Sequence, residues 1–389
     1  MRVRGKLCDT GEVVTLTLSG GRIAGFSHDA ADVDLGGADF WVAPAFLDLQ
    51  VNGFGGYDFN IGAWGGEGEV SSELAPIFDL LAKAGTAALC PTITTNSREA
   101  MVAALKAIVD TVEQDRSLRH AVPGIHVEGP YIGSEEGPRG AHPLEHVRDP
   151  SWDEFQAFQD AAGGLIRIVT LAPERPGALR FIEQLSDVGV VVALGHSGAE
   201  PAVIRDAVLA GARMSTHLGN GSHAMLPRHS NYLWEQLACD GLHASIIADG
   251  HHLPPSVLQT FVRTKGAERL ALVSDAISLG GLPAGLYAGG VREVLPSGKV
   301  VVAGTPYLSG AGHLLDTCIA HAVRHTDLTL AQAVRSATEV PAQLLGLERR
   351  GHLSVGADAD LVLFRLPSEG PLVIEATLRA GEVIYSVKH

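Results

Sequence analysis

The sequence predicts an α/β fold: a (β/α)8 TIM barrel carrying a small β-sandwich domain formed by both chain ends. Three observations predict it. Short apolar runs recur eight times between residues 45 and 275, with helical stretches between most of them, which is the alternation of a closed parallel sheet. Glu128, His196, His217, Asp249, His252 and Asp275 each follow one of these runs. Polar side chains at the carboxyl ends of successive strands mark the mouth of such a barrel. Finally, both chain ends break into short strand-like pieces that neither end could bury alone.

Taken in order, residues 3 to about 42 read as strands Val13–Leu18, Arg22–Phe26 and Val33–Leu35, with a turn at Gly20-Gly21. Barrel strands are expected at Ala45–Val51, Ala87–Thr92, Gly124–Glu128, Ile166–Leu171, Val190–His196, Arg213–His217, Ala244–Asp249 and Leu270–Asp275. Helices are expected at Ser72–Ala84, Arg98–Asp115, Trp152–Ala162, Pro176–Val188 and Glu200–Ala210. The Gly-rich stretch Gly53–Gly68 is expected to form a mobile loop near the barrel mouth. The rhythm breaks over 280–308, where Val291–Leu295 and Val300–Ala303 read as a hairpin around Pro296-Ser297-Gly298, and helices resume over Gly310–His325 and Leu330–Ala337. The tail has strands at Asp360–Phe364, Leu372–Thr377 and Val383–Val387, with a tight turn at Ala380-Gly381-Glu382. The expected division is 1–43 and 350–389 for the small domain and 44–349 for the barrel, so that the two termini lie together.

At 389 residues the chain is long enough for a barrel plus a satellite, and 46 % apolar against 19 % charged residues allows a large core. A formal net charge of −15 argues against a nucleic-acid partner. Cys8, Cys90, Cys239 and Cys318 are scattered, with no Cys-x-x-Cys, and are expected to be reduced thiols. Neither a signal peptide nor a membrane span is apparent, and a cytoplasmic protein is expected.

Glu128, His196 and His217 form the candidate metal site. Three protein ligands with one position left open is the pattern of a catalytic ion. Any one of these residues alone reads as a hydrogen-bonded polar group at a strand end. On the third, fifth and sixth strands together they can face one axis. Asp275 closes the eighth strand, where a carboxylate can take a proton from water and return it to a leaving group; capping the next segment is its plainer role. The first strand ends in Gln50 and Asn52, poor metal ligands, and no lysine stands at a strand end to bridge two ions, so one metal per chain is expected. Zinc suits a His2Glu set, with iron(II) or manganese(II) as the other fits. His126 shares a face with Glu128 and is either a support for the site or a core histidine. His142 and His252 either meet a ligand or are solvated loop residues, and His251 is a weaker candidate of the same kind. His223, His229 and His243 have no independent support. Arg228 has the planar fork that suits phosphate, though a loop arginine is more often a surface charge.

The pattern resembles the N-acetylglucosamine-6-phosphate deacetylases of the amidohydrolase superfamily. The resemblance runs from Pro44 to about Leu347 and rests on specific pieces. These are Val51-Asn52-Gly53-Phe54-Gly55-Gly56, Cys90-Pro91-Thr92 with Thr94-Thr95, and Gly124-Ile125-His126-Val127-Glu128-Gly129-Pro130-Tyr131. Gly140-Ala141-His142, Leu171-Ala172-Pro173-Glu174, Leu194-Gly195-His196-Ser197 and Thr216-His217-Leu218 with Asn220 follow. Ile247-Ala248-Asp249-Gly250 with His252 and Val273-Ser274-Asp275-Ala276 continue the match, and Gly356–Val362 fits the return to the small domain. The resemblance implies a divalent metal on Glu128, His196 and His217, with Asp275 as acid/base. It implies substrate contacts at His142, Asn220 and His252, with Gly221 beside Asn220 placed among them. It also implies a homodimer in which Arg228 binds phosphate across the interface. The implied reaction is hydrolysis of the acetamide of N-acetylglucosamine-6-phosphate, or a close N-acetylhexosamine phosphate, by metal-activated water. The chain departs from the family at Gly219, Gly221 and Ser222, at Arg228-His229-Ser230-Asn231 and at Leu308-Ser309-Gly310-Ala311. These substrate-facing differences keep an alternative open, an amidohydrolase acting on a non-phosphorylated N-acetyl sugar, an N-acyl amino acid or a cyclic amide. A non-catalytic sugar-phosphate binder is the reading of a different class, and a retained Asp275 argues against it.

Overall fold

A computed structural model describes residues 1–60, 73–115 and 117–387. Its centre is an eight-stranded sheet in which each strand pairs with the next in the chain. The strands are Phe46–Val51, Thr86–Thr94, Ile125–Glu128, Ile166–Leu171, Val191–Leu194, Met214–Ser215, His243–Ile246 and Leu270–Leu272. All the pairings are parallel. Closure comes just past the eighth strand, where Val51 bridges Ala276 in parallel and Asp275 N donates to Gln50 O at 2.9 Å. Asp48, buried in the first strand, reinforces the seam by accepting Ser274 N at 3.2 Å. Every residue of the first two strands is buried. That is why unbroken apolar runs located them: a barrel strand has helices on one side and packed side chains on the other.

The helices begin where the sequence offers caps. Ser97 accepts Ala100 N ahead of Arg98–Gln114, Ser151 accepts Glu154 N ahead of Trp152–Ala161, and Asn231 accepts Leu233 N and Trp234 N ahead of Tyr232–Ala238. Proline opens Pro201–Leu209 and Pro255–Lys265. Of the first expected helix Ser72 lies outside the described residues, and the helix runs Ala75–Ala82; the fourth is shorter than foreseen, Ala178–Asp187. A helix over Glu339–Leu344 was not foreseen; its Pro341 lies in the first turn, where the missing N–H costs nothing. The expected helix over Gly310–His325 starts only at Leu315, because Ala311 instead runs parallel to Ala276 at the barrel seam.

Both chain ends build one seven-stranded sheet. Strands Arg2–Leu7, Val13–Ser19, Arg22–Ser27 and Leu35–Pro44 come from the front, and Leu361–Arg365, Val373–Arg379 and Glu382–Ser386 from the tail. Val3, Leu16 and Ile23 share a core with Leu363, Ala376 and Leu378, so the sheet folds over on itself as a sandwich. Two expectations need correction here. The short strand at Val33–Leu35 is a ten-residue strand beginning at Leu35, and Arg2–Leu7 is a strand of its own. Gly36 and Gly37 hid the long strand. Gly36 adopts φ 85°, and a Cβ there would stand 2.2 Å from Arg4 O, so only glycine lets the two strands meet at this bulge. The expected hairpin over 291–303 is present as Arg292–Val294 against Val300–Val302, with Gly285–Tyr287 as a third strand. Of the expected loop Gly53–Gly68, residues 61–68 lie outside the described residues; before them Gly53–Phe54 pairs with Tyr57–Asp58. Among the described residues no helix is long and apolar enough to cross a membrane.

Asp360 ties the small sheet to the barrel. Its carboxylate receives His120 Nε2 at 2.8 Å, Arg350 Nη2 at 2.6 Å and Ala380 N at 2.8 Å. Burial alone would raise this carboxyl. The hydrogen bond from His120 and the charge of Arg350 outweigh it and hold the pKa at about 2. A folded-state pKa below the unfolded value adds stability that is present above about pH 4 and lost as the pH falls toward about 2. Asp360→Asn is therefore expected to lower unfolding stability by about 2 kcal/mol at neutral pH. Denaturant midpoints of the two proteins should converge as the pH is lowered through that window; a gap that stays constant would mean the carboxylate charge is not what holds the joint.

Candidate active site

Three side chains meet at the mouth of the barrel. Glu128 Oε1 lies 3.0 Å from His196 Nε2 and 2.9 Å from His217 Nε2, and the two imidazole nitrogens are 3.0 Å apart. All three residues are buried. The backbone explains how they converge. The fifth and sixth strands stop at Leu194 and Ser215, short of the expected His196 and His217. The eighth likewise stops at Leu272, before Asp275. His196, His217 and Asp275 have φ of 51°, 31° and 50°, which a strand ladder cannot accommodate. Left-handed backbone at non-glycine residues costs roughly 1–2 kcal/mol each. Its repetition at three barrel-mouth residues marks a place where side-chain direction takes precedence over backbone comfort.

The donor set fits a divalent ion. Pro138 O accepts from His196 Nδ1 at 2.8 Å, so Nδ1 carries the proton and Nε2 turns a lone pair to the cluster. Gln50 Nε2 donates to Glu128 Oε1 at 3.1 Å, which makes it a support rather than a ligand. Burial works against charge on both Glu128 and His217. The two neighbouring imidazoles nevertheless hold Glu128 well below its usual range, and Glu128 in turn holds His217 above its own. The site is thus built to surround positive charge. Ligands about 2.1 Å from one tetrahedral ion stand about 3.4 Å apart, so the three atoms, now 2.9–3.0 Å from one another, need to open only slightly to hold it.

Asp275 stands beside the cluster, its Oδ1 accepting Asn52 Nδ2 at 2.7 Å. Burial and the nearby charge of Glu128 push its carboxyl up to about 7. His142 is buried, its ring 4.3 Å from that of His196 and its Nδ1 2.8 Å from Thr95 Oγ1. Burial and His196 drive its pKa down to about 3, so it is a neutral imidazole. Asp249 fixes His252 through 2.8 Å to Nδ1 and 2.9 Å to the backbone N–H, and is itself a positioning residue. Glu128, His196, His217, Asp275, His142 and His252 line a pocket of about 830 Å³ open to solvent, together with Asn220, Gly221 and Arg292.

Gly221 has a second task. It adopts φ 56°, and a Cβ on it would come 2.8 Å from His196 Nδ1. Gly221→Ala should displace the His196 ring and strain the loop, lowering both affinity for a divalent ion and thermal stability, the latter by roughly 1–3 kcal/mol. Zinc titration and a melting curve check this; an unchanged affinity would show that His196 tolerates the contact.

Other expected residues lie elsewhere. Arg228 is on exposed surface outside this subunit's pocket, where Trp234 Nε1 donates to its carbonyl at 3.3 Å. His126 is a satisfied core histidine: Nδ1 donates to Leu49 O at 3.1 Å, and Nε2 takes the Thr170 hydroxyl at 2.7 Å. His251 stacks on His313, His223 bonds Glu135 and Tyr232, His229 is exposed and His243 is half-buried outside the pocket. Sequence reasoning missed Asn52 as the partner of Asp275, Thr95 as the partner of His142, and Arg292. Only Asn52 carried a signal, its place one residue past the first strand.

A closed parallel barrel with a His2Glu donor set and an aspartate at its mouth defines the class of barrel metallohydrolases. Comparison with known proteins narrows this. A model of the amidohydrolase family matches residues 41–387. The N-acetylglucosamine-6-phosphate deacetylase of Bos taurus is 37 % identical over 89 % of this chain and 84 % of its own. The N-acetylgalactosamine-6-phosphate deacetylase of Shewanella sp. (strain ANA-3) is 31 % identical over 88 % and 83 %. A solved aspartate-to-alanine mutant of N-acetyl-D-glucosamine-6-phosphate deacetylase from Mycobacterium smegmatis, in complex with N-acetyl-D-glucosamine-6-phosphate, superimposes with a TM-score of 0.86 at 30 % identity, covering 99 % of both chains. The chain belongs to the N-acetylglucosamine-6-phosphate deacetylase family of amidohydrolases.

Proposed function

We propose that the protein hydrolyses the acetamide of N-acetylglucosamine-6-phosphate, giving acetate and an amino sugar phosphate. The observation that carries this reading is Asp275 held by Asn52 beside the Glu128–His196–His217 cluster, in one pocket, in a chain of this family. Bound by those three residues, a divalent ion supplies Lewis acidity and lowers the pKa of water. Zinc is the ion we assign, one per chain.

Each protein group has a task. The Thr95 hydroxyl donates to His142 Nδ1, leaving Nε2–H to bond the acetamide oxygen and stabilise the charge that develops on it. Asn52 occupies Asp275 Oδ1, which leaves Oδ2 to take a proton from the attacking water. The C–N bond breaks when Asp275 returns that proton to the nitrogen. Asn220, Gly221 and His252 line the same pocket and are assigned to the sugar phosphate. Arg228 is assigned to a partner subunit's pocket in a homodimer. The four cysteines are free thiols, the state of a reducing compartment, and we place the protein in the cytoplasm, with domains at 1–43 plus 350–389 and 44–349.

The test is acetate release by zinc-loaded protein from N-acetylglucosamine-6-phosphate, N-acetylgalactosamine-6-phosphate and N-acetylglucosamine. Preference for the first carries the reading, preference for the second moves it to the epimer, and release from the free sugar alone removes the phosphate from it. No release from any would turn the search to N-acyl amino acids and cyclic amides.

A further inference from the structure

A phosphoryl group needs a cation facing it, and the divalent ion assigned to Glu128, His196 and His217 is taken up with the acetamide end of the substrate. Arg228, the arginine that sequence and family would nominate, is exposed and outside this subunit's pocket. Arg292 is the single lysine or arginine among the described residues lining it.

Arg292 reaches this position through the hairpin that interrupts the barrel rhythm. It pairs with Tyr287 on one side and Val302 on the other, so its backbone is held in the middle of a three-stranded sheet. That sheet is anchored. Val294 and Val300 pack with Leu279 in a small apolar core, and at the hairpin turn Ser297 O contacts His313 Nε2 at 3.0 Å. Arg292 is half-buried, and the charge of buried Asp58 acts on its guanidinium. Asp58 is itself fixed by Asn60 N at 2.8 Å. A guanidinium has five N–H donors in a planar fork and can serve a carboxylate and a ligand at once. His252, oriented by Asp249, lines the same pocket.

We propose that Arg292 is a specificity-determining residue that binds the phosphoryl group of the substrate from within the same subunit. The proposal rests on the deacetylase reading above and deepens it. Phosphate recognition then does not depend on the partner's arginine alone, and the departures from the family pattern around Arg228 are compensated by a cation on the hairpin.

The experiment compares wild type, Arg292→Gln, Arg292→Lys and Arg228→Gln, each zinc-loaded and checked for zinc content. The readout is the ratio of kcat/KM for N-acetylglucosamine-6-phosphate to that for N-acetylglucosamine. Arg292→Gln should lower this ratio roughly 10–100-fold, mainly through KM, and Arg292→Lys should restore part of it. Equal losses on both sugars, or a ratio that falls only in Arg228→Gln, would overturn the assignment. Calorimetric titration with glucosamine-6-phosphate and with glucosamine reads the same contact without turnover. Weaker binding of the phosphate ester alone in Arg292→Gln supports the proposal even if the acetamide proves not to be the substrate. Unchanged binding of the ester refutes it.

Discussion

Asp275→Asn is expected to lower kcat by roughly 10²–10⁴-fold while the protein still binds one zinc per chain. Asparagine is the informative replacement for two reasons. It tolerates the left-handed backbone, φ 50°, at this position, so the strand end should not relax. Its carbonyl oxygen can also still accept the 2.7 Å hydrogen bond from Asn52 Nδ2. What the amide cannot do is accept a proton from water and return it to nitrogen. Alanine would confound these effects, since it adds backbone strain and leaves Asn52 without a partner. Stopped assays for acetate and metal analysis of the same sample separate the two properties. Near-normal turnover in the asparagine variant would remove Asp275 from proton transfer and leave it a hydrogen-bonding role only.

The barrel and its central residues were legible because burial on both faces forces strands into unbroken apolar runs. A polar side chain ending such a run stands out against them. Glu128, His196, His217 and Asp275 were all found this way. The exact strand ends were not legible: Gly195-His196 and Thr216-His217 continue the run in letters, and nothing in the letters shows that the backbone turns left-handed there. Pairings between distant segments were hidden for a different reason. Asn52 and Asp275 are 223 residues apart, and His142 and Thr95 are 47 apart; only the closed barrel brings them together. Arg292 lay in a segment read correctly as a hairpin, but a hairpin's strand pattern does not tell which face looks into a pocket. Arg228 was singled out by its planar fork and by the resemblance, and the fold puts it on the surface, outside this subunit's pocket. At the front of the chain, Gly36-Gly37 looked like a break in strand propensity when it was a bulge within one long strand.

His217→Asn is expected to lose both metal and activity, and so to separate binding from proton transfer. Asparagine accepts the left-handed backbone, φ 31°, but its shorter side chain cannot reach the position of Nε2. Removing one of three ligands takes away a charge-neutralising partner of buried Glu128 as well as a donor to the ion. Zinc per chain should fall from one to near zero at equal free zinc, with turnover falling to background. Stability supplies a readout independent of catalysis. An ion that binds only the folded chain stabilises it by about 2.7 kcal/mol at 100 times its Kd. Zinc should therefore raise the melting temperature of the wild type and of Asp275→Asn, and leave that of His217→Asn unmoved. Chelation should reverse the shift in the first two. A zinc-dependent shift in His217→Asn as large as in the wild type would mean that the ion sits elsewhere, and the convergence of Glu128, His196 and His217 would then be only a buried hydrogen-bond cluster. If instead metal is lost in His217→Asn and kept in Asp275→Asn while neither turns over, the two roles are distinct. Holding the ion and moving the proton then fall to different strands of one barrel mouth.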